Sequence, residues 1–283
     1  MAKVIDGNEL LYHFFQKSWL EDEPEAARSF IKKAIDELGV WMHPDYYTEL
    51  PVVVPYAVRD SYCRTHNGSA DEWGKPNSDG YFRDDNSLIK GIVSSMKVVS
   101  KSKWLRGMKG NGFTASHVWR EPSDYATSHL LASCRPELNS FVPNLVWLPK
   151  QIAKLTDREG SFAQHYLQLL SRHIYGNVPV KTSATNLIDD IWKKLPAPKD
   201  VSDVVLPSVD QFAFFEYKPS IVEMRKIKRI GAVRDACDEI LKTGVLTAKT
   251  LVSERYKHGL PYVQRHSLKA LSDWLNTYLS AVK

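Results

Sequence analysis

The run NGFTASHVWREP, residues 111–122, places His117 at the far end of a short strand-type segment. An imidazole changes charge near neutral pH, so a positioned histidine can take a proton from water. Twenty-seven residues later, Asn144 opens NLVWLP, and KQIAKLTD follows as a helix-type segment. Phosphodiester cleavage needs a deprotonated water, neutralisation of the developing charge and a stabilised leaving oxygen. A β-hairpin packed on one helix supplies these compactly: one strand ends in a histidine base, and the helix brings a ligand for a divalent ion. The ordinary alternatives are a strand histidine facing a core partner and an asparagine that caps a turn after Pro143.

With SHVW and NLVWLPKQIAKLTD in this order, the chain resembles the HNH, or His-Me-finger (ββα-metal), nucleases. It is similar to a bacterial subgroup that reads roughly CHIW, ANLVLLP and LTDH. The resemblance covers about residues 108–180. It implies His117 as general base and Asn144 as the residue that orients it through the hairpin. It also implies one Mg²⁺ or Mn²⁺ ion, with Asp157 and Gln151 as candidate ligands. Asp157 is the harder oxygen donor and suits Mg²⁺ better. Two positions depart from the pattern: Ser116 stands where many members carry an acid, and TDR ends in Arg158 where the subgroup has histidine. Asp124, His129 and His165 are further candidates to complete a metal shell.

Charge points to a polyanionic partner. The chain has 38 Lys and Arg against 33 Asp and Glu. Lys97, Lys101, Lys103, Arg106, Lys109 and Arg120 occupy a run without an acid, and residues 220–283 hold 12 basic and 6 acidic side chains. Clustered positive charge suits double-stranded DNA, with Lys101, Lys103, Arg106, Lys109, Arg120, Arg265 and Lys269 as candidate contacts; a solvated face is the plain alternative. Three scattered cysteines imply no disulfide framework. Cys63 and His66 could be half a zinc site, but no second pair of that spacing follows. No signal peptide and no apolar run of about 20 residues stands out, so a cytoplasmic protein without membrane contact is expected.

Around the hairpin, helices are expected at 7–20, 23–40, 84–101 and 161–176, an extended segment at 49–58 and a loop at 61–85. Residues 193–209 read as a linker. Beyond it, a long helix should end at Gly244. TAKTLVSERYKHG and VQRHSLKALSDWLNTYL form a pair compatible with a helix-turn-helix. Asp210, Glu216 and Lys218 echo the D…ExK pattern of another nuclease class. Period-two alternation would string them along one face of one strand, too far apart to act together. Trp119 and Trp147 read as core residues.

The sequence therefore implies an α+β protein in three parts: a helical region at 1–100, a ββα-metal core at 101–192 flanked by helices, and a mostly helical, basic region at 210–283. The expected activity is that of a metal-dependent DNA endonuclease or nickase, in restriction or anti-phage defence by analogy. The alternative is a non-catalytic DNA-binding or interaction protein of a defence complex, with partner proteins.

Overall fold

Pro24 at a first helical position and apolar residues four apart begin the first long helix. The computed structural model, which describes residues 13, 19–60, 63, 72–102, 105–156 and 158–283, forms helix α1 over Pro24–Leu38 and buries Ala27, Ile31 and Ile35. Strand β1 (Val40–Met42) follows, fully buried. Short strands β2 (Ala57–Val58) and β3 (Phe82–Arg83) pair in parallel, apart from the main sheet. Helix α2 (Ser87–Ile92) leads to β4 (Lys97–Val99), β5 (Gly107–Met108) and β6 (Phe113–His117). After a long connection come β7 (Leu145–Pro149), helix α3 (Lys150–Thr156) and helix α4 (Phe162–Tyr175). The last elements are β8 (Ala213–Phe215), helix α5 (Ala232–Thr243) and helix α6 (Arg265–Ala281). The chain is α+β. Among the described residues no helix is long and apolar enough to cross a membrane.

Six strands share one sheet in the order β5-β4-β8-β1-β7-β6. Only the β1–β8 pair is parallel. A flat sheet of this width would separate its edge strands by about 24 Å, at about 4.8 Å per neighbour. The chain from Met108 to Phe113 reaches at most about 18 Å. The sheet must therefore curl, and its twist supplies the curvature. Trp41, Trp147 and Phe215 lie buried in adjacent strands, with Trp147 edge-on to Phe215 at 5.0 Å between ring centres. Trp119 is also fully buried, as expected of a core residue.

The three parts read from the sequence all contribute to this sheet: β1 from the first, β6 and β7 from the second, and β8 from the last. β8 sits between β4 and β1. The final helix is fastened to the N-terminal half. The Tyr278 hydroxyl donates to the Val52 carbonyl (2.7 Å) and accepts from the Val52 amide (2.8 Å), and Trp274 Nε1 donates to the Pro55 carbonyl. Buried apolar side chains from Ile31 to Val282 form one cluster.

Several elements differ from the sequence reading. The helix expected at 84–101 stops at Ile92, and residues 97–99 are strand β4, where only Val98 is buried. Gly91 weakens the helix there, and the β-branched pair Val98–Val99 favours an extended chain. Pro219–Glu223, a π-helical stretch Met224–Gly231 and α5 make up the long helix ending at Gly244. Of the helix expected at 247–259, only Glu254–Gly259 forms. Helix α6 packs against α5 and buries Leu268, Leu271, Leu275 and Tyr278. Most of the helix expected at 7–20, and residues 61, 62 and 64–71 of the expected loop, lie outside the described residues.

Candidate active site

Strands β6 and β7 run antiparallel, with His117 opposite Leu145 and Phe113 opposite Pro149. Pro149 closes the pairing, and the Lys150 amide that opens α3 donates to the Gly112 carbonyl before β6. Gly112 has a φ of +88°, a conformation that favours glycine. Helix α3 then packs on both strands. The local order is strand, strand, helix, with His117 at the end of the first strand.

His117 is half-buried, and its Nε2 lies 2.9 Å from the Asn139 carbonyl oxygen. A carbonyl has only lone pairs to offer, so the ring must donate and the proton sits on Nε2. In the neutral form of the ring, the lone pair is then on Nδ1. Asn139 is itself fixed: its Nδ2 donates to the Ala57 carbonyl (3.0 Å), and its amide donates to the Arg135 carbonyl.

Asn144 is fully buried and ties this arrangement together. Its Oδ1 accepts from the Trp119 amide at 2.7 Å, and its Nδ2 donates to the Leu138 carbonyl at 2.9 Å. Its backbone carbonyl accepts from the Val118 amide. One side chain thus joins the segment just after His117 to the turn whose next carbonyl holds the imidazole. Asn144 is a positioning residue.

The His117 side of the hairpin opens into a cavity of about 290 Å³. Among the described residues, Arg59, Lys90, Arg120, Lys150 and Lys154 line it, against one carboxylate, Asp85. Lys150 and Lys154 are four apart on α3 and so share a helix face. Lys90 comes from α2, which packs against β6. Five cations around one histidine make a strongly electropositive recess, suited to phosphate groups.

The sequence-derived site residues divide sharply. His117 and Arg120 line the cavity, and Asn144 supports it from behind. Lys101, Arg106 and Lys109 do not line it, because their segment belongs to the β4–β5 edge of the sheet. Lys101 pairs with Asp210, and Arg106 donates to the carbonyls of Ser100 and Lys101. Arg265 and Lys269 share a different depression with Asp238 and Asp273, and Lys269 pairs with Asp273 at 3.0 Å. That face mixes signs and is not a basic stripe.

Of the metal candidates, Gln151 is exposed and outside the cavity lining, one residue off the face that carries Lys150 and Lys154. Asp124 pairs with Arg135, whose hydrogen bond lowers its pKa, while His129 is exposed and His165 contacts Gln168; none of the three lines the cavity. Asp157 and Lys103 lie outside the described residues, as does His66 of the half zinc site. Asp210 sits in a 3₁₀ turn before β8 rather than on one strand face with Glu216 and Lys218, and none of the three lines the cavity.

Sequence reasoning missed Asn139, Arg59, Lys90, Lys150, Lys154, Asp85 and Asn86. The i,i+4 spacing of Lys150 and Lys154 was a usable signal; the others converge only through the fold. Among the described residues no three His, Cys, Asp or Glu side chains gather as a metal cluster. Hard oxygens are nevertheless present. Asp85 and Asn86 line the cavity, and Asn86 Oδ1 is buried without a hydrogen-bond partner. Leaving such an oxygen unpaired costs about 1–3 kcal/mol. A divalent cation is one partner that would satisfy it.

Comparisons with protein-family models, curated proteins and solved structures find no match for this chain.

Proposed function

We propose that the protein is a metal-dependent phosphodiester hydrolase, an endonuclease or nickase acting on double-stranded DNA. The reading rests on His117: an imidazole held by a backbone carbonyl, with Nδ1 as its basic nitrogen, inside a recess lined by five cations. The family resemblance of SHVW and NLVWLP points the same way.

In this reading the DNA backbone enters the recess and its phosphates meet Lys90, Arg120, Lys150, Lys154 and Arg59. Nδ1 of His117 takes a proton from a water as that water attacks phosphorus. The Nε2–H bond to Asn139 stabilises the imidazolium that results. The attacking oxygen forms its bond to phosphorus while the bond to the leaving oxygen breaks. The lysines and arginines offset the charge gathered on the phosphoryl oxygens. A bound Mg²⁺ or Mn²⁺ would neutralise charge on the phosphate and the leaving oxygen. Asp157 is the ligand that the resemblance suggests. Restriction or anti-phage defence, with partner proteins, is the role suggested by analogy with such nucleases.

A second reading, a DNA-binding protein without catalysis, is supported by the same five cations, which would hold phosphate whether or not it is cleaved. Supercoiled plasmid separates the two. The hydrolase reading expects nicked or linear product with Mg²⁺ or Mn²⁺, and none with EDTA. Binding without conversion under every metal condition would establish the second reading.

A further inference from the structure

We infer that Asp85 and Asn86 are this chain's own ligands for a divalent cation in the His117 cavity. The inference rests on the hydrolytic reading of that cavity, but it concerns residues outside the ββα-like segment.

The segment RDDNSLIK, residues 83–90, carries the chain into helix α2. An asparagine just before a helix ordinarily caps it, its side-chain oxygen accepting a first-turn amide. Asn86 stands in that place before α2 and makes no such bond. Asp84 does the capping instead. Its carboxylate accepts from the Leu88 amide at 3.1 and 3.2 Å and from the Ser87 hydroxyl at 2.8 Å. Asn86 Oδ1 is thereby released from the helix end. The residue is 94 % buried (6 % exposed), and that oxygen has no hydrogen-bond partner.

The backbone adds a second abnormality. Asn86 has φ 75° and ψ 10°, the left-handed region. Asparagine tolerates it better than most residues, and glycine tolerates it fully. This conformation turns the chain between the Asp84 cap and α2 while Asp85 and Asn86 both line the cavity with His117. Asp85 is exposed at the rim, and the Ser87 amide fixes its Oδ1 at 3.0 Å.

One carboxylate and one amide oxygen are hard donors, as Mg²⁺ and Mn²⁺ require. Two protein ligands are few, but Mg²⁺ in phosphoryl chemistry commonly takes one or two carboxylates, substrate phosphates and waters. The five surrounding cations oppose a divalent ion until phosphate enters. Binding to the protein alone should therefore be weak and should tighten with DNA.

The test is Mn²⁺ binding to the full chain without DNA, followed by loss of the free-ion electron paramagnetic resonance signal. Wild type should bind one ion with a dissociation constant no weaker than about 1 mM. Asp85→Asn should weaken binding at least about tenfold, since it removes the charged ligand. Asn86→Gly removes the oxygen and relaxes the left-handed backbone, so it should weaken binding without loss of thermal stability. Asn86→Asp adds a charge and should tighten it. No bound Mn²⁺ in wild type, or equal affinity in all three variants, overturns the inference. So does an Asn86→Asp variant that loses DNA affinity with unchanged Mn²⁺ affinity, because the amide would then serve phosphate.

The two readings fail separately. If Mn²⁺ affinity follows Asp85 and Asn86 but no metal supports cleavage, the cation site stands and the hydrolase falls. If cleavage needs metal and ignores both residues, the hydrolase stands and this site falls.

Discussion

Asn144→Ala should damage stability and the candidate site together, by an amount that the structure sets. Alanine cannot accept from the Trp119 amide or donate to the Leu138 carbonyl, and position 144 is fully buried. The Trp119 amide would lose its partner away from water, while the Leu138 carbonyl keeps backbone amides from Ser140 and Phe141. The orphaned amide costs about 1–3 kcal/mol and the lost bond to Leu138 about 0.5–1.5 kcal/mol, together about 1.5–4.5 kcal/mol. Against a total stability of about 5–15 kcal/mol, the variant should still fold in the cold. Its melting temperature should fall by roughly 6–12 °C for a mid-range loss. The damage should also reach His117, because Asn144 holds the turn whose Asn139 carbonyl fixes the imidazole. Urea unfolding gives the stability term. Nitrogen-15 NMR of the histidine ring, below the melting point, shows whether the proton still resides on Nε2. A stability loss under about 1 kcal/mol, with the ring tautomer unchanged, would show that Asn144 neither supports the core nor positions His117.

Three other outcomes follow from the same contacts. A chain ending at residue 209 lacks β8, which lies between β4 and β1, so it should be insoluble or unfold without cooperativity; a soluble, cooperative product would mean that the sheet closes without its inner strand. Lys150→Ala with Lys154→Ala should flatten the salt dependence of DNA affinity by about 1.8 in log–log slope, at about 0.9 per lost phosphate contact, whereas an unchanged slope would show that these lysines do not meet phosphate. Burial raises the Asp84 pKa above its ordinary 3.8, so its proton favours the folded state below that value, and this contribution is lost as pH rises through the folded pKa. Asp84→Asn should therefore gain on wild type in urea midpoint between about pH 4 and pH 7, and a pH-independent difference would contradict the shift.

The hairpin and its helix were legible because their signals are local. Phe113, Ala115 and His117 alternate, Pro149 ends β7, and α3 begins at once. His117 and Asn144 stood out because each opens or closes one of these elements. The other walls of the cavity were not legible. Arg59, Asp85 and Lys90 come from segments 27 or more residues before His117, and only the packing of α2 on β6 and of the 120–143 connection on β2 brings them near. Asn139 acts through its backbone carbonyl, which no side-chain pattern reports. Of the acid-free run 97–120, Arg120 lines the cavity, but Lys101, Arg106 and Lys109 belong to the β4–β5 edge of the sheet, because a charge pattern carries no topology. β8 was hidden for a different reason. Three residues are too few to show a period, and its place in the sheet depends on β1 and β4.

Cleavage of supercoiled plasmid by His117→Ala decides whether His117 is the general base. It is compared with wild type under single-turnover conditions at saturating protein and Mg²⁺ or Mn²⁺. If His117 is the general base, the rate should fall by about 10²–10⁴-fold, while melting temperature and DNA affinity stay close to wild type. Cleavage at the wild-type rate by the folded variant would contradict the assignment.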